Sequence, residues 1–251
     1  MTRIERTIRT RGYEMDASGV IPLSVLASYM EHVRWESIGE PDFPLRDYWR
    51  RGVMRAQRVE LFETVRFGLE LDIECWLARV GRTSLDLAHR VSRTDSRALV
   101  ALAVVTVVNL GAEGRPAPLD EGILKLLSDG PLPNVEALAE NAPPEAFVRR
   151  IEVAPSDQDV LQHVNHARYL DFVEDTHFFG ARAGGYGPRS EQALKRARSV
   201  AISYEREASA GMLLEARSWP LASDPLAFGC ELYREDDGEL IARASVGVAR
   251  S

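Results

Sequence analysis

The most regular feature along the chain is an alternation of apolar and polar positions. In residues 69–75, Leu69, Leu71 and Ile73 fall on one side and Glu70, Asp72 and Glu74 on the other, the period of a strand with one buried face. Eight strand-like runs occur in two groups of four: 54–62, 69–80, 84–93 and 99–110, then 199–207, 212–222, 226–235 and 240–249. A stretch of helical period precedes each group. Leu26, Tyr29, Met30 and Val33 recur at i, i+3, i+4 and i+7, as do Tyr169, Phe172, Val173 and Thr176, which predicts one amphipathic helix per group. Pro22 suits the first position of the first helix and Asn165 reads as the N-cap of the second. A short strand is expected before each helix.

These patterns repeat at a fixed distance. Adding 143 takes Asp16 to Asp159, Glu31 to Glu174, Leu71 to Leu214 and Trp76 to Trp219. The periodicity travels with the identities, so the chain carries two copies of one unit. A strand, a helix and four strands joined by short turns make an α+β unit, an antiparallel sheet around a central helix. The expected boundaries are 1–112 for the first copy, 113–147 for a crossing and 148–251 for the second copy. The crossing has proline at 116, 118, 131, 133, 143 and 144, which suits a surface path and not a strand; a helical turn is expected from Ile123 to Leu127. A unit with one bare sheet edge is a poor stand-alone object, so the copies are expected to pair edge to edge, imitating a dimer. Further homodimerisation stays open.

Charge narrows the partners. Among 251 residues, 31 Lys plus Arg stand against 38 Asp plus Glu, a net charge of −7, which argues against non-specific nucleic-acid binding. The clusters at Arg50, Arg51 and Arg55 and from Lys195 to Arg198 are too short to reverse that. No stretch approaches the roughly 18 apolar residues of a membrane helix, and the start has no apolar core for a signal peptide, so a cytoplasmic protein is expected. Cys75 and Cys230 read as buried thiols, with one disulfide as the alternative. His163 and His166 lack further nearby ligands, so no metal is expected. There is no G-x-S-x-G elbow. Gly184-Gly185-Tyr186-Gly187 follows a helix and reads as a flexible connection, not a phosphate loop.

The run 156–170, with Asp159, His163, Val164 and Asn165 leading into a helix, resembles the signature of hot-dog-fold thioesterases. The turn from Tyr13 to Ile21 looks like that of 4-hydroxybenzoyl-CoA thioesterase-like enzymes. With two copies in tandem, the chain is similar to the acyl-acyl carrier protein thioesterases over about residues 5–250. The resemblance implies a tandem (double) hot-dog that hydrolyses a fatty acyl thioester, without cofactor. Its partner would be acyl carrier protein or coenzyme A. It also implies Asp159 as base or nucleophile, His163 as positioning or polarising partner and Glu207 as assistant. In the family, an asparagine stands where this chain has Leu161 and a cysteine where it has Ala208, so a mechanism needing that amide or thiol does not apply. Asp16 is a second-site candidate, though Val20 in place of a histidine points to a turn role.

A thioester is already activated; its hydrolysis needs a water, a base and donors for the carbonyl oxygen. A carboxylate serves as the base or attacks directly, and N–H groups at the second helix's N-terminus are expected as donors. Tyr29, Met30 and Trp35 are candidate floor residues of an apolar acyl channel. Three rivals remain: an acyl-CoA thioesterase, an enoyl-thioester hydratase and a non-catalytic acyl-binding module.

Overall fold

The structure, a computed structural model of the chain, describes residues 3–39, 45–46 and 52–249. Arg50 and Arg51 lie outside the described residues. The chain divides into two compact units, Met1–Asn134 and Val135–Ser251.

Unit 1 contains β1 (Ile4–Arg9), α1 (Leu23–Gly39), β2 (Gly52–Leu61), β3 (Glu70–Val80), β4 (Ser84–Arg93) and β5 (Leu99–Asn109). The five strands form an antiparallel sheet in the order β1-β3-β4-β5-β2. Helix α1 lies on it, touching β1, β2 and β3. Its stripe of Leu26, Met30 and Val33 is at most 1% exposed, each such side chain contributing roughly 1.5–3 kcal/mol by leaving water. Trp35 is off that stripe. It is 42% exposed and its indole donates to Glu31 Oε1 at 3.2 Å, so it is no floor residue.

Unit 2 repeats the plan with β6 (Phe147–Glu152), α2 (His166–Arg182), a short α3 (Ser190–Ala193), β7 (Ala197–Tyr204), β8 (Leu213–Pro220), β9 (Ala227–Arg234) and β10 (Leu240–Val248). Its sheet order is β7-β10-β9-β8-β6, again antiparallel. Helix α2 packs on β8, β6 and β9, burying Tyr169, Leu170, Phe172, Val173 and Thr176. Each unit is the α+β arrangement of one helix against one sheet that the hydrophobic pattern implies.

The alternation in β3 departs from the pattern at a charged residue. Asp72 is 6% exposed, and its carboxylate accepts from Thr7 Oγ1 at 2.7 Å, Thr94 Oγ1 at 2.9 Å and Arg97 Nη1 at 2.5 Å. Those donors offset the cost of burying a charge.

The proline-rich segment is tied down at both ends. In unit 1, Asp120 caps a 3-10 turn, Glu121–Leu126, by accepting from Gly122 N–H. Ser128 N–H then donates to Leu77 O at 2.9 Å, and Gly130 sits flat on the Trp76 indole. In unit 2, Ser245 Oγ donates to Glu136 O, and Arg243 Nη2 to Glu140 O and Asn141 Oδ1, all at 2.8 Å. The glycine-rich segment is tied down as well. Tyr186 is 3% exposed and its hydroxyl lies 2.6 Å from Ser218 Oγ, so the flexible connection expected there is instead packed. Cys75 and Cys230 are free and buried; burial pushes both thiols up to about 12, which keeps them protonated and inert.

Candidate active site

The repeated aspartate makes the same turn twice. Asp16 N–H donates to Val20 O and Gly19 N–H to Asp16 O, both at 2.9 Å. In unit 2, Asp159 N–H donates to His163 O and Gln162 N–H to Asp159 O, both at 3.0 Å. The fourth residue is left-handed in each, with Gly19 at φ +74° and Gln162 at φ +65°. Glycine adopts that conformation freely, whereas glutamine is there at a cost of order 1 kcal/mol, the kind of strain that gathers at functional turns.

A second pair of matched contacts anchors the turn. Ile21 N–H donates to Val65 O at 2.9 Å, and Val164 N–H to Ala208 O at 2.8 Å. In unit 2 that bond brings two side chains together across the gap. His163 Nε2 lies 3.1 Å from Glu207 Oε2, with the side chains 39% and 62% exposed. Glu207 does not sit in a strand, as the run 199–207 suggests. β7 ends at Tyr204, because Glu205 and Arg206 N–H both turn to Ile241 O, at 2.8 and 3.2 Å. The matching positions in unit 1, Val20 and Thr64, carry neither an imidazole nor a carboxylate.

Tyr169 backs this pair, and sequence reasoning counted it only as core. Burial, opposed by a hydrogen bond from the Ala208 main chain and reinforced by the Glu207 charge, pushes its phenol above the ordinary range, so it stays protonated. Its ring is 5.4 Å from that of Tyr204, whose hydroxyl donates to His166 O at 3.0 Å. The aromatic stripe of α2 was the visible signal; the reach of the hydroxyl to Ala208 depends on tertiary packing.

The two aspartates differ in what their carboxylates hold. Asp16 Oδ1 accepts from Ser18 N–H at 2.8 Å, Ser18 Oγ at 2.7 Å and Val20 N–H at 3.2 Å. Asp159 Oδ1 accepts from Leu161 N–H at 2.8 Å. Among the described residues that is its one side-chain hydrogen bond, and the His163 N–H has no partner.

The helix N-terminus is less open than expected. Asn165 Oδ1 accepts from Ala167 N–H at 2.8 Å, and Asn165 O from Arg168 N–H at 2.9 Å. The His163 N–H, in the turn before the helix, is left without a partner among the described residues. Arg168 is also engaged, since its guanidinium donates to buried Asp157 at 2.9 and 3.1 Å.

Two of the cavities formed by described residues are not lined by Asp159. One, of about 430 Å³, is lined by Thr7, Arg9, Arg11, Glu14, Tyr29 and His32. The other, of about 590 Å³, is lined by Gly211, Met212, Arg234 and Glu235 among others. Tyr29 thus borders a polar cavity, and Met30 is core at 1% exposure. The apolar surface near Asp159 is its own turn, where Val160 is 83% and Leu161 62% exposed. Among the described residues no group of three His, Cys, Asp or Glu could hold a metal ion, and no helix is long and apolar enough to cross a membrane.

Residues 10–127 match the family described as the thioesterase-like superfamily. No curated protein matches the chain. In structure, the chain is similar to an acyl-ACP thioesterase from Bacteroides thetaiotaomicron, with a TM-score of 0.81 at 18% identity over 98% of each chain. It is also similar to a 12:0-ACP thioesterase from Umbellularia californica, with a TM-score of 0.79 at 17% identity over 99% of this chain and 98% of the other. The chain has the double hot-dog fold.

Proposed function

We propose that this double hot-dog chain is an acyl-acyl carrier protein thioesterase, which uses water to split a fatty acyl thioester into free fatty acid and carrier thiol. The reading puts the chemistry in unit 2. The observation that carries it is the His163 and Glu207 pair, 3.1 Å apart beside the Asp159 turn, where unit 1 keeps only the turn. Full-length likeness in fold to acyl-ACP thioesterases supports the substrate class.

Asp159 acts at the thioester carbonyl by one of two routes. As a base it takes a proton from the attacking water; as a nucleophile it bonds the acyl carbon, and water then opens the anhydride. Hydroxylamine traps an acyl enzyme only on the second route. Either way the carbon–sulfur bond breaks, and the sulfur leaves as thiolate and takes up a proton. Glu207 holds the Nε2 edge of His163, which orients the ring. The His163 N–H and imidazole then face the developing oxyanion. The same reading puts the enzyme in the cytoplasm, with acyl carrier protein as its partner.

Thiol release is the test. The parent chain is expected to turn over one acyl chain faster on carrier protein than on coenzyme A, and Asp159→Asn to lose at least about 100-fold. An Asp159→Asn variant with parental turnover overturns the site. Faster turnover on coenzyme A reassigns the carrier, making the chain an acyl-CoA thioesterase of the same fold. Tight acyl-thioester binding with no thiol released makes it a binding module.

A further inference from the structure

The His163 N–H belongs to the peptide unit that joins Gln162 to His163, and the other end of that unit is held. Gln158 Nε2 donates to Gln162 O. In a trans peptide the carbonyl and the N–H point in opposite directions, so fixing Gln162 O also fixes where the His163 N–H points. That N–H has no partner among the described residues. Gln158 is itself anchored. It faces Val164 in an isolated antiparallel bridge, closed on one side by Asp159 N–H to His163 O at 3.0 Å and on the other by Asn165 N–H to Asp157 O at 2.9 Å.

Unit 1 has the same turn without this clamp. The counterpart of Gln158, 143 positions earlier, is Met15, which has no side-chain donor, and the counterpart of Asn165 is Pro22, which has no N–H to close the second bond of the bridge. The counterpart of the His163 N–H is the Val20 N–H, and it turns inward onto Asp16 Oδ1 at 3.2 Å. One turn is therefore seen in two arrangements, held by its carbonyl with the N–H turned out, or closed through its N–H on its own aspartate. The held peptide follows Gln162 at φ +65°, a conformation that is costly for glutamine and free for Gly19. A bracing bond has a use in unit 2 that it lacks in unit 1. Leu161 has no polar side chain, and the bracing amide comes from Gln158, on the other side of Asp159.

We infer that Gln158 is a positioning residue whose side-chain amide holds the Gln162–His163 peptide so that its N–H is turned out to meet the thioester carbonyl oxygen. Resting on the thioesterase reading, this adds to it the residue that aims the donor.

The experiment removes the clamp in two ways. Gln158→Met installs the unit 1 residue, and Gln158→Glu keeps the shape but meets Gln162 O with an acceptor. Both are compared with the parent by thiol release from an acyl-acyl carrier protein, with folding followed by circular dichroism. Gln158 is half-buried in a turn, so both variants are expected to fold. Each is expected to lose about 10-fold or more in kcat with KM within about twofold of the parent, because the donor acts on charge that appears only in the transition state. A second readout reports on the donor directly. In the Asp159→Asn background, which leaves the thioester uncleaved, the infrared band of a ¹³C-labelled thioester carbonyl is expected to move back towards its position on the free carrier protein when Gln158→Met is added. A merely structural glutamine would lower the folded fraction and leave kcat per folded molecule and the infrared band unchanged; that result overturns the inference, as does a loss that falls on KM alone. Asp159→Asn by itself tests the underlying reading. If it turns over like the parent, the thioesterase site falls and the role of Gln158 with it; if it is inactive while Gln158→Met and Gln158→Glu are parental, only the role of Gln158 falls.

Discussion

His163 and Glu207 meet at 3.1 Å although 44 positions separate them, and what joins them is a single main-chain bond, Val164 N–H to Ala208 O at 2.8 Å. The same bond exists in unit 1 between Ile21 and Val65, with Val20 and Thr64 in place of the pair. The scaffold is duplicated and the imidazole–carboxylate pair is not.

Removing either member of the pair is therefore expected to cost activity and leave the fold intact. His163→Ala should lower kcat about 100-fold or more, and Glu207→Gln about 10-fold. In a double-mutant cycle the two losses should not add, because each variant already lacks the contact. Additive losses would mean that the residues work independently.

Asp16 has the opposite profile. Three hydrogen bonds converge on its Oδ1, so Asp16→Ala should cost about 1–2 kcal/mol in urea unfolding. Thiol release per folded molecule should stay within about twofold of the parent. A loss like that of Asp159→Asn would reveal a second working site.

His177 supplies a pH dependence of stability. Its ring is buried between Tyr186 and Phe228, with Nε2 donating to Ala193 O at 2.8 Å, and burial, opposed by that carbonyl, lowers its pKa from 6.5 to about 4. The unfolded chain takes up the proton first as pH falls, so stability is full above about 6.5, declines towards about 4 and is flat below. The size is on the order of 3 kcal/mol. Urea midpoints for the parent and His177→Phe should show the variant losing that part of the slope between pH 6.5 and 4. Equal slopes would remove His177 as the cause.

Gly130 tests the path of the proline-rich segment. A Cβ there would lie 2.4 Å from the Trp76 ring, so Gly130→Ala should destabilise unit 1 by about 1–3 kcal/mol. A freely moving linker would show no change.

Much of this was legible in the sequence because the repeat doubles every signal. The offset of 143 marks both turns and both helices, and the alternating runs lie on β2 to β5 and β7 to β10. Asp159, His163 and Glu207 stood out because their spacing resembles a known signature. Contacts made at a distance were not legible. The strand pattern runs on through Glu207, and only the turn of Glu205 and Arg206 towards Ile241 ends β7 earlier. The composition of 113–147 says surface, yet it does not say that Trp76 needs a flat cover and that Gly130 provides it. His177, Tyr186 and Ser218 carry no shared motif, and they meet because α2 and β8 stack.

The way that segment is fastened also dictates where the polypeptide tolerates scission. A nick between Asn134 and Val135 severs none of the tethers, since those upstream grip Leu77 and Glu60 and those downstream grip Ser245, Arg243 and Glu231. Trimming at 112 or 147, where composition changes, would strip Trp76 of its cover and leave the buried Glu231 without the Ala142 amide. Fragments for recombination or split reporters are best taken from the middle of the prolines and not from their margins.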